Sequence, residues 1–243
     1  MKTLGILGGM GPMATAYLLQ LIIQMTDAKT DQEHLDVMVW NHPQVPDRTA
    51  HILDPRKPSP LPVLQHMAQT LEGMGAGVLC APCVTSHYFF RELQGSVSVP
   101  FVHMVAETAR ELREAGEHKA GILATTGTAK TGLFQTALEQ EGLSFALPSQ
   151  TSQELVMSLI YDDIKAGKPA DPEKFRIVSQ ELFSAGCDSV ILGCTELSLV
   201  NKDLLLGQAP QGAGYLDALE VLSKRCVLAC GAPLKKEYAS LIS

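Results

Sequence analysis

The chain has 243 residues, 46% hydrophobic and 19% charged, with a formal net charge of -7. That size fits one large or two small domains around a substantial core. A negative balance without a Lys/Arg block argues against nucleic acid or an acidic membrane surface as partner, and no apolar run reaches the length of a bilayer span. The N-terminus enters a strand pattern directly, without a signal peptide's longer apolar region and cleavage site, so a cytoplasmic enzyme is expected.

Residues 4–7 read as a short strand, Gly8-Gly9-Met10-Gly11-Pro12 as a glycine loop and 13–25 as a helix. A glycine turn from strand to helix presents backbone N–H groups to an anion. No Gly-Lys-Ser/Thr follows, and the G-x-G-x-x-G spacing is missing, so a small carboxylate suits it better than a nucleotide. The plain alternative is a tight turn that needs glycine for sterics alone. Residues 35–40 form a second strand. The loop after it carries Arg48, either a two-pronged clamp for a carboxylate or a surface partner of Asp47. Residues 54–62, with four prolines, read as a linker-like loop, and 63–74 as a helix ended by glycines.

Val78-Leu79-Cys80-Ala81-Pro82-Cys83 then reads as a buried strand stopped by a proline that has no N–H to donate. Cys83 falls at the junction with a helix over 84–93, where the helix N-terminus favours thiolate over thiol. Helices follow at 106–115, 131–141, 152–166 and 172–185, and strands at 119–124 and 144–147. Ser189-Val190-Ile191-Leu192-Gly193-Cys194 repeats the strand-to-cysteine pattern, and 216–230 is a final helix. Strand and helix alternate, which predicts parallel α/β architecture.

The six cysteines are Cys80, Cys83, Cys187, Cys194, Cys226 and Cys230. In a cytoplasmic chain, burial, catalysis or metal binding suits them better than disulfides. Cys80 and Cys83 form a C-x-x-C, but a zinc site needs a second close ligand pair. A redox pair opens its helix with the first cysteine, whereas Cys80 lies inside the apolar run. Cys226 and Cys230, four apart in a helical pattern, suit core packing.

An internal repeat sharpens this. Gly5, Ile6, Leu7, Gly11 and Thr15 match Gly121, Ile122, Leu123, Gly127 and Thr131 without a gap. Each copy ends at a strand carrying a cysteine. Two pseudo-symmetric lobes are expected, each a mainly parallel sheet flanked by helices: 1–115, completed by 211–243, and 116–210. Ligands of such sheets lie at the carboxyl ends of the strands, so Cys83 and Cys194 would approach one cleft from opposite sides. Two opposed thiols suit inversion at a carbon, one thiolate removing the Cα proton and the other thiol supplying one to the opposite face. A free thiol, with pKa of about 8.5, serves as either acid or base. Backbone N–H groups of the glycine loop, of Val84-Thr85 and of Thr195 would stabilise the enediolate. Thr85, Thr125, Thr128 and Thr195 add hydroxyl donors. The scheme requires no cofactor and no metal.

These residues resemble the aspartate/glutamate racemases, the cofactor-independent two-cysteine amino-acid racemases. The resemblance covers the chain to about Val200. It rests on Gly8-Gly9-Met10-Gly11-Pro12-Met13-Ala14-Thr15, Pro46-Asp47-Arg48-Thr49, Pro82-Cys83-Val84-Thr85-Ser86-His87, Thr125-Thr126-Gly127-Thr128 and Leu192-Gly193-Cys194-Thr195-Glu196. It implies two pseudo-symmetric α/β lobes, a homodimer, and Cys83 and Cys194 as the two bases. It further implies that Arg48 and, from the other lobe, Lys165 bind the substrate's side-chain carboxylate. Met10, Val84 and Thr85 would meet the α-carboxylate through backbone, while His87 and Glu196 stand one layer back and tune the thiols. Two departures bear on the substrate: Val84 stands where the family has asparagine, and 209–215 lacks the family's Asp-Ser/Pro-Thr-like run. The expected activity is racemisation of aspartate or glutamate. Its rivals are racemisation or isomerisation of another small carboxylic acid such as maleate, and non-catalytic carboxylate binding.

Overall fold

A parallel strand covered on both faces must be apolar along its length, and β1 (Leu4–Gly8) is buried at every position. The computed structural model describes residues 1–200 and 209–242. Within them β1 pairs in parallel with β2 (Val37–Asn41) on one side and β3 (Val78–Cys80) on the other. Phe101 adds one parallel bridge to Leu79 beyond β3. The second sheet repeats this order. β4 (Lys119–Leu123) lies between β5 (Ser144–Ala146) and β6 (Ser189–Leu192), again in parallel, and β7 (Gly214–Asp217) extends it past β6. The chain is therefore a two-lobed α/β protein with matching parallel sheets.

The first lobe carries α1 (Pro12–Met25), α2 (Arg48–Leu53), α3 (Leu61–Gly73), α4 (Phe90–Gln94) and α5 (Met104–Ala115). The second carries α6 (Thr126–Thr131), α7 (Leu133–Gln140), α8 (Gln150–Ser158) and α9 (Pro172–Ser184), and α10 (Ala218–Ala229) follows β7. The repeated glycines have a steric cause. A Cβ on Gly5 would stand 2.9 Å from Ala76 Cβ and 3.2 Å from Leu71 Cβ, and one on Gly121 would stand 2.9 Å from Leu182 Cβ. Each glycine lets the helix before the cysteine strand, α3 or α9, close onto the central strand.

Four expected helices differ from those observed. The 84–93 helix is a 3-10 turn over Val84–Phe89 that leads into α4. The 131–141 helix starts only at Leu133, as α7, and residues 126–131 before it form a separate helix, α6, which Gly132 ends in a left-handed conformation (φ +70). The 152–166 helix is α-helical only to Ser158 and continues as a wider π segment over Leu159–Ile164. The 216–230 helix starts at Ala218, with the Asp217 side chain accepting from Leu219 N–H as its cap. The residues before it, Gly214–Asp217, are wholly buried and pair with β6. Residues 214–217 thus join the second sheet rather than the first lobe, while α10 packs on α1 and α5. The expected end of the second lobe runs through 201–208, outside the described residues.

α5 and α10 form the junction between the lobes, inside a core cluster shared by both. Lys224 Nζ donates to Glu111 Oε1 at 2.6 Å, and Arg225 reaches Glu107 at 3.0 Å, Glu111 at 3.2 Å and Glu114 at 3.1 Å. Glu111 and Lys224 are both buried, where each charge needs the other. Among the described residues no helix is long and apolar enough to cross a membrane.

Candidate active site

Cys83 leaves β3 through Pro82 in an extended conformation and precedes a 3-10 turn over Val84–Phe89. Its carbonyl accepts three hydrogen bonds, from Ser86 N–H at 3.1 Å, Ser86 Oγ at 2.7 Å and His87 Nδ1 at 3.0 Å. Met104 N–H donates to His87 Nε2 at 3.1 Å, so the ring's proton sits on Nδ1. His87 thus holds the Cys83 backbone, not its sulfur. Burial pushes the His87 pKa down, which keeps this ring neutral. The pKa of His103, whose ring is tilted against that of His87 at 5.3 Å, is lowered to about 4 by burial and by His87.

Cys194 follows β6 through Gly193, where a Cβ would stand 2.7 Å from Phe134 Cε2 and 3.0 Å from the Leu123 carbonyl oxygen. Its thiol donates to Glu196 Oε2 at 2.9 Å, and Lys165 Nζ donates to Glu196 Oε1 at 2.6 Å. One carboxylate therefore joins the thiol to the ammonium. Burial, then the negative Glu196, pushes the Cys194 pKa well above the ordinary thiol value. No α-helix follows to favour the thiolate, only a 3-10 turn (Leu197–Leu199), and desolvation dominates. Burial works against the charge of Lys165, but Glu196 more than offsets it and the lysine pKa is raised.

The two cysteines line one narrow cavity of about 20 Å³, with room for about one water molecule. The first lobe contributes Met10, Arg48, Val84 and Thr85 to its walls, and the second Thr125, Lys165, Thr195 and Glu196. Two expected residues stand outside it. Thr128 hydrogen-bonds Thr85 Oγ1 at 2.9 Å from behind, and His87 lies beneath the Cys83 backbone. A wider mouth of about 430 Å³, formed by the glycine loop, Pro43, Val45 and Ile164, shares Met10, Asp47, Arg48, Lys165 and Glu196 with the cavity.

Arg48 donates to the carbonyls of Val45 at 3.3 Å and Pro46 at 3.1 Å, while its Nε is buried without a partner. Burial opposes its charge, but hydrogen-bonding contact with Cys83 and the nearby Asp47 hold its pKa above the usual value. The glycine loop departs from expectation at one point. Gly9 N–H is spent on Thr15 Oγ1 at 2.9 Å, and its φ of +97 presses it against the His42 backbone, 2.3 Å from a Cβ. Gly9 therefore has no N–H left to offer an anion.

A chain of hydroxyls ties the lobes together over the cavity. Thr49 Oγ1 donates to Thr125 Oγ1 at 3.5 Å, and Thr85 Oγ1 reaches Thr125 Oγ1 at 3.3 Å. Gly127 permits this approach, since its Cβ would stand 2.9 Å from Thr49 Oγ1 and 3.2 Å from Thr49 Cα. Asp47, Thr49 and Tyr161 also line the cavity, although the sequence singles none of them out. The signal for them is adjacency: Asp47 and Thr49 flank Arg48, and Tyr161 precedes Lys165 by one helical turn. Cys80, Cys187, Cys226 and Cys230 are buried free thiols outside the cavity. Among the described residues no group of three His, Cys, Asp or Glu side chains is arranged to hold a metal ion.

Matching parallel lobes that bring two cysteine loops to one cavity define a class: two-lobed α/β proteins with paired thiols. The chain belongs to the Asp/Glu/Hydantoin racemase family, whose model matches residues 7–210. It is similar to the broad specificity amino-acid racemase RacX of Bacillus subtilis, with 27% identity covering 81% of this chain and 86% of that protein. It is 26% identical to a glutamate racemase of Pseudomonas putida, over 69% of this chain and 63% of that protein. The structure of the aspartate racemase of Picrophilus torridus superposes with a TM-score of 0.81 at 27% identity, covering 98% of each chain.

Proposed function

We propose that the protein racemises an acidic amino acid, aspartate or glutamate, by two-base proton exchange at Cα without a cofactor. One observation carries this reading: thiols from equivalent loops of two equivalent sheets line one cavity that also holds two cations. Family membership and the racemases similar to this chain support amino-acid racemisation; the cavity's charges support the acidic substrate. Arg48, with a buried Nε that lacks a partner, and Lys165 suit a second carboxylate.

The proton balance is simple. Cys194, whose proton is held by burial and Glu196, enters as the thiol. Cys83 is then the base that removes the Cα proton. Cys194 delivers its proton to the opposite face, its charge on becoming thiolate offset by Lys165, and the reverse reaction exchanges the two roles. The N–H groups of Val84 and Thr85, at the start of a helical turn, have no partner within that turn and suit the oxygens of the enediolate. The cavity is too small for an amino acid with the lobes as they stand, so binding requires them to part at the threonine contacts.

Incubation with L-aspartate and L-glutamate in D2O, followed by proton NMR, tests the reaction. Deuterium at Cα with appearance of the D-enantiomer is expected. No exchange with either acid would remove the acidic-substrate reading, and binding without exchange would support a non-catalytic carboxylate-binding protein instead.

A further inference from the structure

Tyr161 faces two spaces. One is the catalytic cavity of about 20 Å³. The other is a groove of about 840 Å³ in the second lobe, between α6, residues 147–148 and α8. Among the described residues no other lines both. The groove has the size of a small-molecule site, about 300–1,000 Å³, and Ala129, Leu147, Pro148 and Met157 give it an apolar lining. The cavity that holds the thiols has no comparable room.

The ring between these spaces is fixed from several sides. Its hydroxyl meets Thr49 across the lobe junction, and Lys165 Nζ lies 5.5 Å over its face. It sits on the π segment Leu159–Ile164, a local widening that often marks functional positions. Burial, then Asp47, raises the phenol pKa, so the group stays neutral and presents a ring rather than a charge. On the groove side, Thr126 N–H donates to Met157 Sδ at 3.2 Å, joining α6 to α8 around the groove.

With a substrate's Cα between the two thiols and its distal carboxylate at Arg48 and Lys165, the Tyr161 ring stands beside the side chain. We propose that Tyr161 is the specificity-determining wall of the site: its ring separates the catalytic cavity from the apolar groove and restricts substrates to short, charged side chains. Removing the ring joins the two spaces and admits amino acids with long apolar side chains, which the groove then holds. This rests on the racemase reading and adds the residue that selects the amino acid.

The test measures Cα deuterium exchange for L-aspartate, L-glutamate, L-methionine and L-leucine with the wild type, Tyr161→Ala and Tyr161→Phe. Tyr161→Ala is expected to raise kcat/KM for methionine and leucine, relative to aspartate, at least about tenfold, the scale on which pocket volume discriminates. Tyr161→Phe keeps the wild-type ratio, because the ring and not the hydroxyl forms the wall. Adding Ala129→Phe to Tyr161→Ala refills the groove and returns the ratio toward wild type. An equal loss for all four amino acids with Tyr161→Ala, or a gain that survives Ala129→Phe, overturns the proposal. If Tyr161→Ala does not fold, Tyr161→Val replaces it, and a folded Tyr161→Val without any gain overturns the proposal equally. A wild type that exchanges none of the four overturns the racemase reading and the proposal with it, and that failure is visible before any variant is made.

Discussion

Cys83 and Cys194 leave equivalent strands of equivalent sheets, yet they meet different surroundings. Cys83 lies against the guanidinium of Arg48, and its loop is backed by two imidazoles, buried His87 and half-buried His103, that hold backbone groups. Cys194 gives its hydrogen bond to a carboxylate that is itself neutralised by Lys165. A repeated backbone thus carries a cation on one thiol and an anion on the other. The repeat supplies two-sided geometry, and the surroundings of Cys194 hold its proton more tightly than an ordinary thiol's, which in the proposed two-base reaction makes it the acid.

The sharpest way to break this comparison is to remove each sulfur in turn. Cys83→Ser and Cys194→Ser are each expected to lower racemisation about 10³-fold, within the range of a lost general acid or base, measured by chiral chromatography. A single variant with full activity would end the paired mechanism.

The structural half of the comparison rests on Gly5 and Gly121. Gly5→Ala and Gly121→Ala should each cost about 2 kcal/mol, the scale of overpacking a filled core, read from denaturant unfolding. Equal costs would sharpen the equivalence of the lobes, whereas a cost confined to one would show that the repeat is not mechanically equal.

The smallest effect is a pH dependence specific to the first lobe. His103 has its pKa lowered to about 4, against about 6.5 in an unfolded chain. A lowered folded pKa contributes stability above pH 6.5 that is lost as pH falls toward 4, since the unfolded state then binds the extra proton. Its neutral Nδ1 also accepts from Ala106 N–H at the start of α5, at 3.3 Å, and protonation removes that acceptor. The Tm should therefore fall between pH 6.5 and 4, and His103→Asn, which keeps a capping oxygen, should fall less. Parallel decline of wild type and variant would exclude His103 as the source.

Much of the fold was legible because buried parallel strands are apolar runs and their stops are glycine and proline. The apolar run before Pro82 holds β3 at Val78–Cys80, and the glycines repeated at 5 and 121 mark where helices close onto strands. The misread elements share a cause. Tyr215-Leu216 is a short apolar stretch that suits a buried strand or a helix start, and only pairing with β6 decides for β7. Gly132 ends α6 through a backbone conformation that hydrophobic period does not report.

The sequence by itself determined the two cysteine loops, the repeat behind them and the basic residues Arg48 and Lys165. Those features are local, written in residue types at short spacing. What only the tertiary structure decided is what each side chain faces. Glu196 spans Cys194 and Lys165, His87 grips a carbonyl and not a thiol, Gly9 has no N–H to spare, and Tyr161 stands between a cavity and a groove. These depend on distances between residues far apart in the chain, and charge and burial act through such distances.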